Sequence, residues 1–257
     1  MILTRRAALG GVQLDELHER IVIRSINPGV PNESIQATAR MGGAGQRMTS
    51  QHWNQLDVSI SYAIDVPRRE LELRRQIFEM VNAWALRKGW LTISYLPNRR
   101  MYVDKVVIPG SGDLWNWTDE FTITFRAYNV PFWQDEMPTQ TQIDLAAGGS
   151  GTVEVGGNVE SPLDVTFRNR SGMTVNNFSI QAGGHNIRLT GLGLSGSGTL
   201  AISHGTDGLL RITADGRSAY EKYTGSDDLT VSPGQCWFSF SADRAGRLTV
   251  QSFGRYV

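Results

Sequence analysis

Along much of this chain apolar and polar residues alternate one by one, the spacing of a strand that buries one face and wets the other. The clearest run is "QLDVSISYAI", where Leu56, Val58, Ile60, Tyr62 and Ile64 share a face and Asp57, Ser59 and Ser61 take the opposite one. "EFTITFRAY" repeats the pattern, with Phe121, Ile123 and Phe125 set against Thr122, Thr124 and Arg126. "RIVIRSI" predicts a further strand, and "ESIQATARMGGAGQRMTSQHW" predicts a long hairpin over about residues 35–52 that turns at Gly42-Gly43-Ala44-Gly45. "WLTISYL", the turn "PNRR" and "MYVDKVVI" predict another hairpin.

One segment changes period. From Pro67 to Lys88, Leu73, Ile77, Met80, Val81 and Trp84 fall on one helical stripe. Arg68 with Glu72, and Arg75 with Glu79, are opposite charges four residues apart on the solvated side. Pro67 suits a first helical turn and Gly89 a position just past the last, so a helix over about 67–88 covering a sheet is expected.

The alternation fails in "NVPFWQDEMPTQTQ", and "AAGGSGT" follows, which places a domain boundary there. Beyond it, short strands end on Gly, Asp and Asn turns: "SPLDVTFRN" burying Leu163, Val165 and Phe167, "HNIRLTGL" burying Ile187 and Leu189, then "TLAIS" and "LLRITADG" around "HGTDG". In "VSPGQCWFSFSADRAGRLTVQSFGRYV", Cys236, Phe238 and Phe240 share a face, as do Leu248 and Val250, which reads as two strands joined by a polar turn. The expectation is a mainly β chain. Residues 1–138 form a β-sandwich-like domain with one covering helix and a long hairpin, 139–151 a linker, and 152–257 a β-sandwich or jelly roll.

Composition narrows the function. Lys plus Arg equals Asp plus Glu at 25 each, which argues against a general electrostatic attraction to DNA, RNA or an anionic membrane. The single Cys236 excludes an internal disulfide framework and a thiolate-rich metal site, and permits a cytosolic origin. "MILTRRAALGG" has the arginine pair of an export signal, but Asp15 and Glu16 interrupt the apolar stretch such a signal needs, so none is expected. No run approaches the ~18 to 20 apolar residues of a membrane span.

Candidate chemistry is sparse. His18, His52, His185 and His204 form no metal-binding spacing. Ser203, His204 and Asp207 are neighbours in one turn, whereas a nucleophile, base and orienter normally come from separate elements. Adjacent carboxylates (Asp135–Glu136, Asp227–Asp228) are not a facing pair, and the Gly-rich stretches do not stand between a strand and a helix. No catalytic residue, cofactor or metal is expected. Trp115, Trp117, Phe132 and Trp133 suit either core packing or a ligand surface. Arg40, Met41, Gly42, Gly43, Gly45, Gln46, Arg47 and Met48 mark the hairpin tip, either a solvated loop or a contact to a neighbouring subunit or nucleic acid.

Taken in order, the entry strand, the Gly-bearing hairpin "ATARMGGAGQRMTS", the helix "RRELELRRQIFEMVNAWALRKG", "FTITFRAYNVPFWQDE", "NVESPLDVTFRN" and "LTVSPGQCWFSFSADRAGRLTVQSFGRYV" resemble the distal tail protein (Dit) family of siphophages over nearly the whole chain. The resemblance implies a virion structural protein, made in the host cytoplasm and placed at the tail tip. It implies a hexameric ring between the tail tube and the hub or receptor-binding proteins, around a channel through which DNA leaves. It also implies that the hairpin reaches the neighbouring subunit and that a galectin-like C-terminal domain points outward. A carbohydrate-binding β-sandwich module, using Trp115, Trp117 or aromatics of the last domain, is the alternative.

Overall fold

The computed structural model describes residues 5–39, 46–67, 69–110 and 120–257. The chain is mainly β and divides into two compact units, Met1–Trp133 and Gln134–Val257.

Unit 1 contains β1 (Ala7–Leu9), β2 (Val12–Gln13), β3 (Ile21–Asn27), β4 (Glu33–Ala39), β5 (Gln46–Trp53), β6 (Leu56–Ile64), α1 (Leu71–Ala85), β7 (Gly89–Ile93), β8 (Arg99–Val103), β9 (Lys105–Val107) and β10 (Phe121–Ala127). β11 (Trp133–Asp135) carries the chain across the division. One sheet of the unit runs β2-β1-β7-β8, a second runs β3-β6-β10-β9, and β4-β5 is a sheet of its own. The alternation in β6 and β10 comes true residue by residue. Leu56, Val58, Ile60, Tyr62, Phe121, Ile123 and Phe125 are all buried. On the other side of the pair the hydroxyls of Ser61 and Thr122 meet at 2.9 Å. Burial pushes the Tyr62 phenol well above its ordinary range.

Helix α1 lays Phe78 against Phe121 (5.1 Å between ring centres) and Trp84 edge-on to Phe125 (5.8 Å). The Trp84 indole N–H donates to the Val12 carbonyl of β2 at 2.9 Å, so the helix touches both sheets. Three expectations need correction here. The helix begins at Leu71, because Pro67 forms a preceding turn that accepts the Glu70 N–H at 2.9 Å. It ends in a right-handed cap at Leu86, and Gly89 instead opens β7 opposite Val103. The buried stripe centres on Arg74, Ile77, Phe78, Val81 and Trp84, while Met80 is 40% exposed. A binary pattern assigns Arg74 to water. Its guanidinium instead lies 5.5 Å from the centre of the Phe121 ring, so its stem can fill the stripe.

"MYVDKVVI" is also two strands, not one. At Asp104 the chain leaves β8 for β9 in the other sheet. The Asp104 carboxylate accepts the N–H groups of Tyr128 (2.7 Å) and Asn129 (2.9 Å), which fixes the corner.

Unit 2 contains β12 (Thr139–Val155), β13 (Ser161–Asn169), β14 (Val175–Ala182), β15 (His185–Leu194), β16 (Thr199–His204), β17 (Leu210–Ala214), β18 (Arg217–Ser218), a 3-10 turn (Tyr220–Lys222), β19 (Tyr223–Gly225), β20 (Thr230–Val231), β21 (Gly234–Ser252) and β22 (Arg255–Tyr256). Residues 139–151, expected as a linker, belong to β12, which pairs with β21 along most of its length. Glycine obscured this in the sequence: "AAGGSG" has no side chains to alternate, yet its backbone pairs with Ser239, Phe240 and Ser241.

The expected closing hairpin is likewise one bent 19-residue strand, β21. Its first half pairs with β14, from Ala182↔Phe238 to Phe178↔Ala242. Its second half pairs with β13, from Asn169↔Gly246 to Leu163↔Ser252. The polar residues that suggested a turn are the outer side of the bend. Gly246 makes it possible, since a Cβ there would lie 2.5 Å from the Phe167 ring and 2.6 Å from the Arg168 carbonyl. Phe167, Phe178, Phe238, Leu248 and Val250 close a continuous core between the two halves of the curled sheet, a β-sandwich arrangement.

Candidate assembly interface

The ribbon β4-β5 pairs antiparallel from Glu33↔Trp53 to Ala39↔Gln46, with a register shift between Gln36 and Ala37. No third strand joins either edge among the described residues, which leaves rows of backbone donors and acceptors open. Glu33, Ile35, Gln36 and Ala37 are exposed, Ile35 by 55%. An isolated two-stranded ribbon is marginal in water, so a neighbouring surface that covers it adds to its order.

Its base, in contrast, is pinned. The Trp53 ring stands edge-on to Phe132 at 5.7 Å, and the Asn54 N–H donates to the Asn32 carbonyl at 2.8 Å. Gly29 takes a left-handed φ of 64°, and a Cβ there would fall 1.8 Å from the Asp57 carbonyl oxygen. Beside this base an open hollow of about 630 Å³ is lined by Gly29, Val30, Asn32, Asn54, Gln55, Asp57 and Tyr128. Val30 and Tyr128 stay 67% and 44% exposed at the hollow. Its polar floor is held together by Arg126 with Asp57 (3.3 Å) and by Gln55 donating to Asp57 (3.2 Å). Exposed apolar groups at the rim of a polar floor suit a protein partner better than a reactant.

The tip residues Arg40, Met41, Gly42, Gly43 and Gly45 lie outside the described residues, as do Trp115 and Trp117. Gln46, Arg47 and Met48 open β5, paired with Ala39, Thr38 and Ala37. Trp133 is 2% exposed and offers no ring face to a ligand.

The histidines are not brought together. His204 is buried at the end of β16, its backbone N–H and its Nδ1 at 2.9 and 3.2 Å from one Asp164 oxygen. Asp207 instead accepts from the Leu209 N–H and from Arg211, which together hold its carboxyl below the usual range. The neighbours in "SHGTDG" therefore point to different partners. His185 sits 3.8 Å from Asp228. Burial pushes the Cys236 thiol up, away from the reactive thiolate. Among the described residues no group of three His, Cys, Asp or Glu side chains is placed to hold a metal, and no helix is long and apolar enough to cross a membrane.

Sequence reasoning passed over Trp237. It is 57% exposed on β21, between buried Cys236 and Phe238. The parity that put those two inside already placed it outside.

No protein-family model matches the chain, and no curated protein sequence does. Solved structures do match its fold. The crystal structure of SPP1 Dit (gp 19.1), described as a paradigm of the hub adsorption apparatus in phages infecting Gram-positive bacteria, aligns with a TM-score of 0.69 and 13% identity, over 98% of this chain and 99% of that one. A chain of the phage P2 baseplate in its activated conformation with Ca aligns with a TM-score of 0.52 and 8% identity, over 97% of this chain and 98% of that one. The same baseplate with Sr gives 0.51 and 8%, over 97% of each chain.

Proposed function

We propose that this chain is a structural protein of a phage tail tip. In this reading it is a distal tail protein that closes a hexameric ring between the tail tube and the hub or receptor-binding apparatus, in the virion, around a channel for DNA. The observation that carries the reading is the end-to-end match of fold to SPP1 Dit, both units included, despite 13% identity. Fold alone does not assign function, but the physical features of unit 1 support the same role. A ring needs unlike patches that meet head to tail, and an open-edged ribbon with a neighbouring apolar-rimmed hollow supplies two. The chain works by shape and edge pairing and transforms no substrate.

The test is the mass of the particle. Mass photometry of the intact chain, alone and with a tail tube protein, is expected to give a hexamer or a ring seen by negative-stain microscopy. Deleting residues 41–46 should leave the melting temperature unchanged and abolish the ring. A chain that stays monomeric under both conditions overturns the reading.

A further inference from the structure

Two bends meet at one end of the unit 2 sandwich. β21 turns at Gly246, which stands opposite Ala146 on β12 and Asn169 on β13. The connection from β13 to β14 closes on the same place, where the Arg170 N–H donates to the Ala245 carbonyl at 3.3 Å. The connection from β15 to β16 adjoins it, its Gly196 carbonyl accepting the Gly172 N–H at 3.2 Å. In the first register shift of β12, between Ile143 and Ala146, Leu145 takes a left-handed φ of 53° and is 69% exposed. A bulky side chain in that backbone region is strained, and glycine would take the same turn freely. Leu145 thus carries strain and holds an apolar side chain in water at once, the kind of local cost that marks a functional position. Met173, in the β13–β14 connection, is a second exposed apolar side chain.

Charge at this end is also uneven. Its carboxylates are engaged by the chain itself. Asp243 accepts the N–H groups of Asn176 and Asn177 (3.1 and 3.2 Å), and Asp215 those of Ser195 and Thr199. Asp144 is paired with Arg247, which with the more distant Arg170 holds its carboxyl below the usual range and places both cations beside Leu145. Arg170, Arg217 and Arg244 are exposed, and among the described residues none of them is in an ion pair.

We propose that this end of unit 2 docks on an anionic lipid surface, with Leu145 and Met173 entering the interfacial layer and the guanidinia meeting lipid phosphates. Interfacial binding grows with the apolar area inserted and with the attraction of basic side chains to anionic headgroups. A guanidinium also matches a phosphate with two parallel hydrogen bonds. The even charge of the whole chain argues against a general attraction, not against attraction at one end. The other classes of partner fit less well. A protein contact is built on a continuous apolar patch with aromatic anchors, whereas Leu145 and Met173 sit on separate segments among small and cationic residues. A nucleic acid would use the arginines and leave the strained, exposed leucine without a role.

Lipid docking needs no ring and is tested apart from ring closure. The intact chain is sedimented with vesicles of phosphatidylcholine alone, and with vesicles containing about one third phosphatidylglycerol. Binding is expected to the anionic vesicles, and it should fall as salt is raised. Leu145→Gly removes the apolar tip and relieves the backbone together. It should weaken vesicle binding about tenfold while the melting temperature holds or rises, which a leucine with a merely structural role would not allow. Arg170→Gln with Arg244→Gln should weaken binding several-fold, and Arg211→Gln, on β17 and already paired with Asp207, should not. The proposal is overturned if neither vesicle binds the parent chain, or if Leu145→Gly binds as tightly. A sharp drop in the Leu145→Gly melting temperature would overturn it too, because Leu145 would then pack within its own chain.

Discussion

The ribbon β4-β5 and the sandwich of unit 2 are both antiparallel sheet, yet they meet the demand for burial in opposite ways. The sandwich curls one sheet until its two halves cover each other, so Phe167, Phe178 and Phe238 lose all or nearly all contact with water without outside help. The ribbon has two strands, open edges among the described residues and an exposed Ile35, and its base is pinned where Trp53 meets Phe132. The first is a folding solution complete within one chain. In the proposed ring, the remaining contacts of the second would come from a neighbouring subunit. Structural self-sufficiency in one region and its lack in another is what an assembly protein requires: a body that survives alone, and an arm that gains order on contact.

The comparison breaks hardest in the sandwich core. Phe238→Ala removes a fully buried ring and should cost about 3–5 kcal/mol in urea unfolding of the isolated chain. A loss under about 1 kcal/mol would mean that the core is not closed as described. The body of unit 1 should behave like the sandwich, not like the ribbon. Trp84→Phe leaves a cavity and strands the Val12 carbonyl, at a cost of about 2 kcal/mol by the same measurement.

A smaller effect comes from a loop of unit 2. The Asp215 carboxylate accepts the N–H groups of Ser195 (3.1 Å) and Thr199 (3.0 Å), with Ser195 the larger cause of a carboxyl held below its ordinary value. A carboxyl lowered in the folded state contributes stability above its unfolded value of about 3.9, and loses it as pH falls through the lower folded value. Asp215→Asn tolerates the left-handed φ of 50°, so it isolates the charge. At neutral pH the variant should be less stable by at most about 1 kcal/mol, because solvent screens so exposed a group. In acid-unfolding curves the difference should begin to shrink at about pH 4 and vanish once the pH has fallen past the lower folded value. A difference that persists undiminished in acid would rule out this linkage.

Much of this was legible in the sequence wherever one face of a strand is apolar and the other polar. The inward residues of β6, β10, β13 and β15 follow from parity alone, and so does the outward position of Trp237. What parity cannot express is a strand that bends or crosses between sheets. "SADRAGR" looks like a turn because its residues are polar, yet it is the solvent side of a bent strand that Gly246 lets pass Phe167. "AAGGSG" looks like a linker because glycine carries no pattern. Arg74 looks solvated because a binary code has no place for a cation over an aromatic ring. The hairpin was legible as a hairpin, but not the openness of its edges, which depends on where every other strand went. At 13% identity to SPP1 Dit the shared fold lies in that arrangement more than in the residues that build it.

The sharpest use of the comparison is the change with the smallest effect on the isolated chain. Ile35 is more than half exposed on β4, so Ile35→Asp removes almost no buried surface and should shift stability by no more than about 0.5 kcal/mol. If the ribbon is the arm by which one subunit holds the next, the same change places a carboxylate where an apolar contact forms, and desolvating that charge against a partner is costly. The expected result is an unchanged melting curve together with rings that dissociate at protein concentrations where the parent chain remains assembled, read by mass photometry on a dilution series. Equal assembly by both chains would move the interface away from β4. A large drop in monomer stability would mean that Ile35 already has a partner within its own subunit, and the contrast between arm and body would fail.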